Sequence, residues 1–249
     1  MSVGKIVKFI PVASDDILFA ANADSLAVLL RDKMIIQRWN LSGFDRTLIK
    51  PITEPEQPPW MVMGSASAGP LALGGSKDYQ DRTVFYDPAT FKKLAYTADD
   101  NRRNRTLPGS DGPQVRASAN GQVITAWRKD LSPAGLYYAT LDGGSLVNRY
   151  EHSSVGYIHP SPDGQLLFTA EGFYTPDLKP LRPDNQRVTS YAIPAAHGSF
   201  YLSIPSTDDL RQGEKAPAAA LHLIGDTRPL ITLPTIRIDA DRSVSWSRE

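Results

Sequence analysis

The chain has no cysteine. That excludes disulfides, thiolate metal sites and cysteine nucleophiles, and it leaves the compartment open. Net charge is also missing: 27 Lys and Arg are matched by 27 Asp and Glu. No global field therefore draws the protein to nucleic acid or to an anionic membrane, and neither is expected as a partner. The longest apolar runs, such as 26–30, fall far short of a membrane span. The opening Met1-Ser2-Val3-Gly4-Lys5 lacks the long apolar segment and small-residue cleavage site of a signal peptide. No segment keeps apolar residues at helical spacing over three turns, so no helix of useful length is expected.

What is present is turn chemistry and short apolar runs. Of the 249 residues, 41% are apolar, enough to bury a sizeable core, and 18 Gly with 20 Pro suit a turn-rich β protein. The clearest segment is Ser161-Pro162-Asp163-Gly164, followed at once by the apolar run 165–170. Pro presets φ, Asp bonds its own backbone and Gly tolerates positive φ, which predicts a strand, a tight turn and a second strand.

A degenerate form of this unit recurs. Asn22-Ala23-Asp24-Ser25, Ala66-Ser67-Ala68-Gly69, Ser118-Ala119-Asn120-Gly121 and Ala195-Ala196-His197-Gly198 each precede an apolar run. The fourth turn residues are spaced by 44, 52, 43 and 34 positions. A second hairpin follows in most units: 35–41 with 47–49, 83–87 with 93–96, 136–141 with 146–147, and 219–223 with 230–233. Four strands in about 40 to 45 residues is the period of a β-propeller blade.

With Trp39-Asn40 and Tyr86-Asp87 standing where a Trp-Asp pair would sit, these units resemble WD40-type propeller repeats over most of the chain. There is no recurring Gly-His pair and no literal Trp-Asp, so the family's Asp–His–Ser/Trp network is expected to be absent. Lys8-Phe9-Ile10-Pro11-Val12, the stretch 157–164 and His197-Gly198-Ser199-Phe200-Tyr201-Leu202 resemble propeller regions of large planctomycete proteins. In those, one further blade lies on each side.

The expected fold is therefore all-β: one WD40-like β-propeller domain over 1–249, built from four-stranded antiparallel blades. Five full blades are expected at 12–53, 59–98, 113–152, 155–190 and 191–236. A last strand at 5–11 and a first strand at 237–246 would be partial blades. Either the chain belongs to a longer, seven-bladed domain, or the end strands pair to close a smaller ring, because a propeller must protect its edges. Polar, proline-rich stretches at 99–113, 176–186 and 205–217 read as loops.

Candidate chemistry is sparse. The histidines are His152, His159, His197 and His222, none in a metal-ligand spacing. Arg116 and His159 each lie five positions before a turn glycine, on the expected innermost strands. With His197 and Asn22 they form the candidate channel-facing set, either a polar ligand site at the channel mouth or solvated lining. Asp15-Asp16, Asp99-Asp100 and Asp208-Asp209 lack calcium-loop spacing and read as surface charge. Arg102-Arg103-Asn104-Arg105 reads as a solvated loop, and its Asn104-Arg105-Thr106 sequon matters only in a secreted eukaryotic protein. Ser65, Ser67, Ser153 and Ser154 have no nucleophile-elbow setting. Gly74-Gly75-Ser76-Lys77 lacks phosphate-loop spacing and is expected as a strand-end turn. Each aromatic pair, Tyr137-Tyr138, Phe173-Tyr174 and Phe200-Tyr201, is expected to bury one ring and leave the other for an exposed patch.

These features point to a non-catalytic propeller that presents loops and channel-mouth residues to protein partners, within a larger protein whose other domains are possible partners. No cofactor and no metal is expected. The alternative is a propeller enzyme of lactonase or hydrolase type, which needs several acids, Asn or His residues converging at the channel.

Overall fold

The computed structural model describes residues 6, 8–77, 80–98, 106–110, 112–129, 131–181, 190–205, 218–226, 228–233, 236–238 and 244–246. Strands β1 (Ile17–Ala21), β2 (Ser25–Leu30), β3 (Ile35–Asn40) and β4 (Arg46–Pro51) form the first antiparallel sheet. The second holds β5 (Trp60–Met63), β6 (Leu71–Lys77), β7 (Gln80–Tyr86) and β8 (Lys93–Leu94). The next strand, β9 (Thr97–Ala98), leaves that sheet and pairs in parallel with the outer strand of the third. The third sheet is otherwise β10 (Pro113–Ala117), β11 (Val123–Arg128), β12 (Leu136–Asp142) and β13 (Ser145–Glu151). Among the described residues the fourth holds β14 (Ile158–Pro160), β15 (Leu167–Thr169) and β16 (Gly172–Tyr174), with one bridge from Tyr174 to Pro180. The fifth holds β17 (Ser190–Pro194), β18 (Phe200–Pro205), β19 (Ala219–Leu223) and β20 (Pro229–Leu233). β21 (Ile236–Ile238) and β22 (Val244–Trp246) make a final hairpin.

The first strands of the five sheets lie side by side in chain order: β1 against β5, β5 against β10, β10 against β14, and β14 against β17. This is the blade arrangement of a β-propeller. No helix among the described residues is long and apolar enough to cross a membrane.

Strand alternation explains how the sheets stack. Successive side chains point to opposite faces, and both faces of an interior sheet meet another sheet. In β6, Leu71 and Leu73 join the core shared with the first sheet, while Ala72 joins the core shared with the third. In β12, Tyr137 enters the core between the second and third sheets and Tyr138 the core toward the fourth. In β15, Leu167 and Phe168 divide the same way. One expectation is corrected here: Tyr137 and Tyr138 are both buried, and Phe173 and Tyr174 pack on opposite cores. Only Phe200-Tyr201 splits into an exposed and a buried ring.

The turns that set the register are built alike. The Ser118 and Ser161 amides donate to the carbonyls of Val123 and Leu166, and the Ala195 amide to that of Phe200. Gly121, Gly164 and Gly198 sit at the fourth turn position with φ of 74°, 74° and 81°, a region glycine enters freely. Ser161 Oγ donates to Asp163 Oδ1 at 2.6 Å and accepts from the Leu166 amide at 2.9 Å. Ser118 Oγ does the same with Asn120 and Val123, at 2.6 and 3.0 Å. Neighbouring turns are then joined: Ala66 N donates to Ala119 O at 2.9 Å, and Asn120 N to Pro162 O at 3.0 Å.

The Trp-Asp-like positions also cap turns. Asn40 Oδ1 accepts from the Ser42 amide, and Asp87 Oδ1 from Ala89 and Thr90. Four residues on, Phe44 and Phe91 take positive φ in each case.

Two further expectations are corrected. Gly74 and Gly75 lie inside β6, paired with Thr83 and Arg82, and form no strand-end turn. A Cβ at Gly74 would stand 1.9 Å from Trp60 Cε2. The missing side chain lets the Trp60 indole lie flat and reach Pro108 O at 2.7 Å. The described residues of 5–11 join no strand, since no neighbouring edge pairs with them, and 237–246 contains most of a hairpin rather than one strand. Asp99-Asp100, the basic run at 102–105 with its sequon, and Asp208-Asp209 lie outside the described residues.

Ser161 is 1% exposed, and replacing it would leave the Leu166 amide without its side-chain acceptor. Ser161→Ala is expected to cost about 1–3 kcal/mol, read as a lower urea midpoint at unchanged m-value. A shift within experimental error would mean that the turn is held by its backbone bonds alone.

Candidate functional site

Arg116 projects from β10 and His159 from β14, the innermost strands of adjacent sheets. Register places Arg116 opposite Thr125, so it shares a face with Trp127 two residues further along β11. The Arg116 Cζ lies 5.6 Å from the Trp127 ring centre, within cation–π range. The His159 ring meets the same indole edge-on, with centroids 6.1 Å apart. Tyr157 continues the row at 5.2 Å from His159, and Tyr191 at 5.4 Å from Tyr157. Three sheets thus contribute one Arg, one His and three aromatic rings to a continuous strip.

The electrostatics follow from partial burial. His159 is lowered from 6.5 to about 4 by burial and then by the Arg116 charge, so its ring is neutral at pH 7. Burial, and then nearby Tyr191, push the Tyr157 hydroxyl up to about 12, against the effect of the Ala192 amide, which donates to it at 2.6 Å. Burial also lowers Arg116 from its usual range. Its Nη1 donates to the Val115 carbonyl at 2.8 Å, and among the described residues it is in no ion pair.

Arg116 and His159 are therefore brought together, and the other two candidates are not part of their contacts. Asn22 Oδ1 accepts from the Asp24 and Ser25 amides and from Ser25 Oγ, closing the turn after β1. His197 is exposed in the turn between β17 and β18. Trp127, Tyr157 and Tyr191 were not singled out from the sequence, although a signal existed. Tyr157 and Tyr191 both lie seven residues before a turn glycine, and Tyr157 shares a strand face with His159 by period two.

The other polar groups lie elsewhere. A cavity of about 130 Å³ between the segment 53–56 and the β6–β7 hairpin is lined by Glu54, Glu56, Lys77 and Arg82. Its signs are mixed, and Lys93 pairs with Glu54 and holds that carboxyl below its usual range. Ser203 Oγ lies 2.9 Å from His222 Nε2, whose ring stacks on Tyr201. Among the described residues, no group of three or more His, Asp or Glu side chains is placed to hold a metal ion.

No protein-family model and no curated protein matches the chain. Among solved structures it is similar to KlAtg21 in its complex with the coiled-coil of AgAtg16, at TM-score 0.50 and 10% identity, covering 88% of this chain and 68% of that one. The WD40 domain of Toxoplasma gondii coronin gives TM-score 0.49 at 13% identity, covering 86% of this chain and 57% of that one. The β-propeller domain of Myceliophteria thermophila Cps50 (Swd1) gives 0.45 at 11%, with 89% and 74% covered. The chain thus spans little more than half of the coronin domain. Stacked four-stranded antiparallel sheets, their first strands side by side in chain order, define a β-propeller fold.

The His159 shift has a pH signature. Unfolded, the ring protonates near 6.5, and folded only near 4. The stability contributed by a neutral ring is complete above the first value and is lost as pH falls toward the second, because only the unfolded chain takes up the proton. Glu54, Asp163 and Asp177 are shifted down from 4.5, 3.8 and 3.8, so they act at lower pH. Urea midpoints at about pH 7 and about pH 5 should therefore fall for wild type and change less for His159→Gln. Equal slopes would place the His159 ring in bulk-like solvent.

Proposed function

We propose that the chain is a non-catalytic propeller platform for protein partners, forming one region of a larger protein. The observation that carries this is the strip at Arg116, Trp127, His159, Tyr157 and Tyr191. Trp, Tyr and Arg are the residue types that dominate binding energy at protein interfaces. Here the interior strands of three stacked sheets hold them, which keeps the ordering cost of binding low. The KlAtg21 structure is itself a complex with a coiled-coil, which supports a partner-binding reading by analogy of fold alone.

The larger-protein part rests on a second surface. Ile193, Leu202, Leu221 and Ile231 form a cross-strand row on the face of the fifth sheet turned away from the fourth. Its ends are open, with Ile193 42% and Ile231 54% exposed. Between interior sheets such a row is covered by the next sheet, and the planctomycete resemblance, with one further blade on each side, supports the same reading. In this reading Arg116 and His159 face the channel, with Asn22 and His197 at turns around it.

The enzyme alternative is separated by assay. A panel of lactones and esters should show no turnover above that of heat-denatured protein, while affinity enrichment from the native source should return a stoichiometric protein partner. Turnover that is lost in His159→Gln would assign the strip to catalysis and overturn the platform.

A further inference from the structure

Among the described residues, Arg116 is a cation without an anion. Its guanidinium has five N–H donors, of which the structure accounts for one bond, to Val115 O at 2.8 Å. One face of the group lies over Trp127 at 5.6 Å. The groups around it add no compensating charge: His159 is neutral at pH 7, Tyr157 keeps its proton, and Tyr191 stands beyond Tyr157. Arg116 is exposed and so open to an incoming anion, while its contact with the Trp127 ring partly desolvates the guanidinium. A guanidinium fork fits a carboxylate in two parallel hydrogen bonds.

We propose that this strip takes a carboxylate side chain of an acidic peptide on Arg116, with Trp127, Tyr157 and Tyr191 covering the apolar residues beside it. The inference rests on the partner-binding reading above and names the partner's chemistry. One positive charge matches one carboxylate. A nucleic acid would need a row of cations to neutralise successive phosphates, and the strip has a single one. The rings follow one another at 6.1, 5.2 and 5.4 Å, a row that an extended segment can lie along. Tyr191 is 46% exposed at its far end, open to an apolar side chain.

The test uses the full chain and two blocked octapeptides. One carries two adjacent glutamates flanked by phenylalanine and leucine; the other carries glutamines in their place. Binding is followed by anisotropy of labelled peptide and by the fluorescence of Trp127, compared with a Trp127→Phe control. The glutamate peptide should bind wild type about tenfold more tightly than the glutamine peptide, and added salt should shrink that difference. Arg116→Gln should abolish the preference, Arg116→Lys should keep part of it, and Tyr191→Ala should weaken both peptides while preserving it. Equal affinity for the two peptides, binding of neither, or an undiminished preference in Arg116→Gln would each overturn the proposal. The peptide comparison on wild type needs no variant to fold. If Arg116→Gln still enriches the same native partner as wild type, the acidic-peptide proposal fails and the platform reading stands. Lactone turnover would remove the platform reading instead.

Discussion

Apolar contact between one sheet and the next holds this protein together, and it acts on both faces of each interior sheet at once. The middle strands of an interior sheet therefore have residues buried on both faces. Leu71, Ala72 and Leu73 are all fully buried, and they divide between two cores. A strand covered on both faces reads as a continuous apolar run rather than as a polar–apolar alternation. The same rule sets side-chain size. Ala72, Ala126 and Ala139 occupy the core between the second and third sheets, where Trp60, Phe85 and Tyr137 supply the bulk. Small residues opposite large ones allow the sheets to approach.

Sheet stacking by itself would permit sliding, and the turns remove that freedom. Both Ser-x-Asx-Gly turns tie their own hairpins through the serine hydroxyl, and bonds run in succession from the turn at 64–69 to that at 118–121 and on to that at 161–164. The approach is close: a Cβ at Gly64 would stand 2.4 Å from the Gly121 backbone nitrogen, and one at Gly164 would stand 2.4 Å from the Val123 side chain at Cγ2. Further bonds cross the deeper core. Buried Thr125 donates to Ile158 O at 3.1 Å, and the Ala192 amide to the Tyr157 hydroxyl. Inner strands fixed in this way give the Arg116–Tyr191 strip a defined shape without help from loops.

Local chemistry was legible in the sequence. Turn residues at 118–121, 161–164 and 195–198 gave the repeat, the strand order within each hairpin and the register that aligns Arg116 with His159. Facts that depend on a neighbouring sheet were not legible. Gly74 reads as a turn residue until Trp60 is seen across the strand pair. Tyr137 and Tyr138 read as one core ring and one surface ring until both sides are known to be covered. Thr97–Ala98 reads as the end of one blade, yet it pairs in parallel with β13 of the next. Trp127, Tyr157 and Tyr191 join the site only once three sheets are placed side by side, although period two and the turn register already aligned two of them.

The same stacking that buries the core sets the electrical character of the strip. Were His159 on an exposed loop, water would screen it and it would keep its ordinary charge behaviour. On inner strands beside Trp127 and Tyr157, burial favours the neutral imidazole and leaves Arg116 as the one charge there. Arg116 is itself exposed, so an anion can reach it, and the aromatic ring on one side of the guanidinium excludes some of the water that would otherwise screen the attraction. Selectivity for a carboxylate over its amide thus comes from the position of one arginine within the sheet stack.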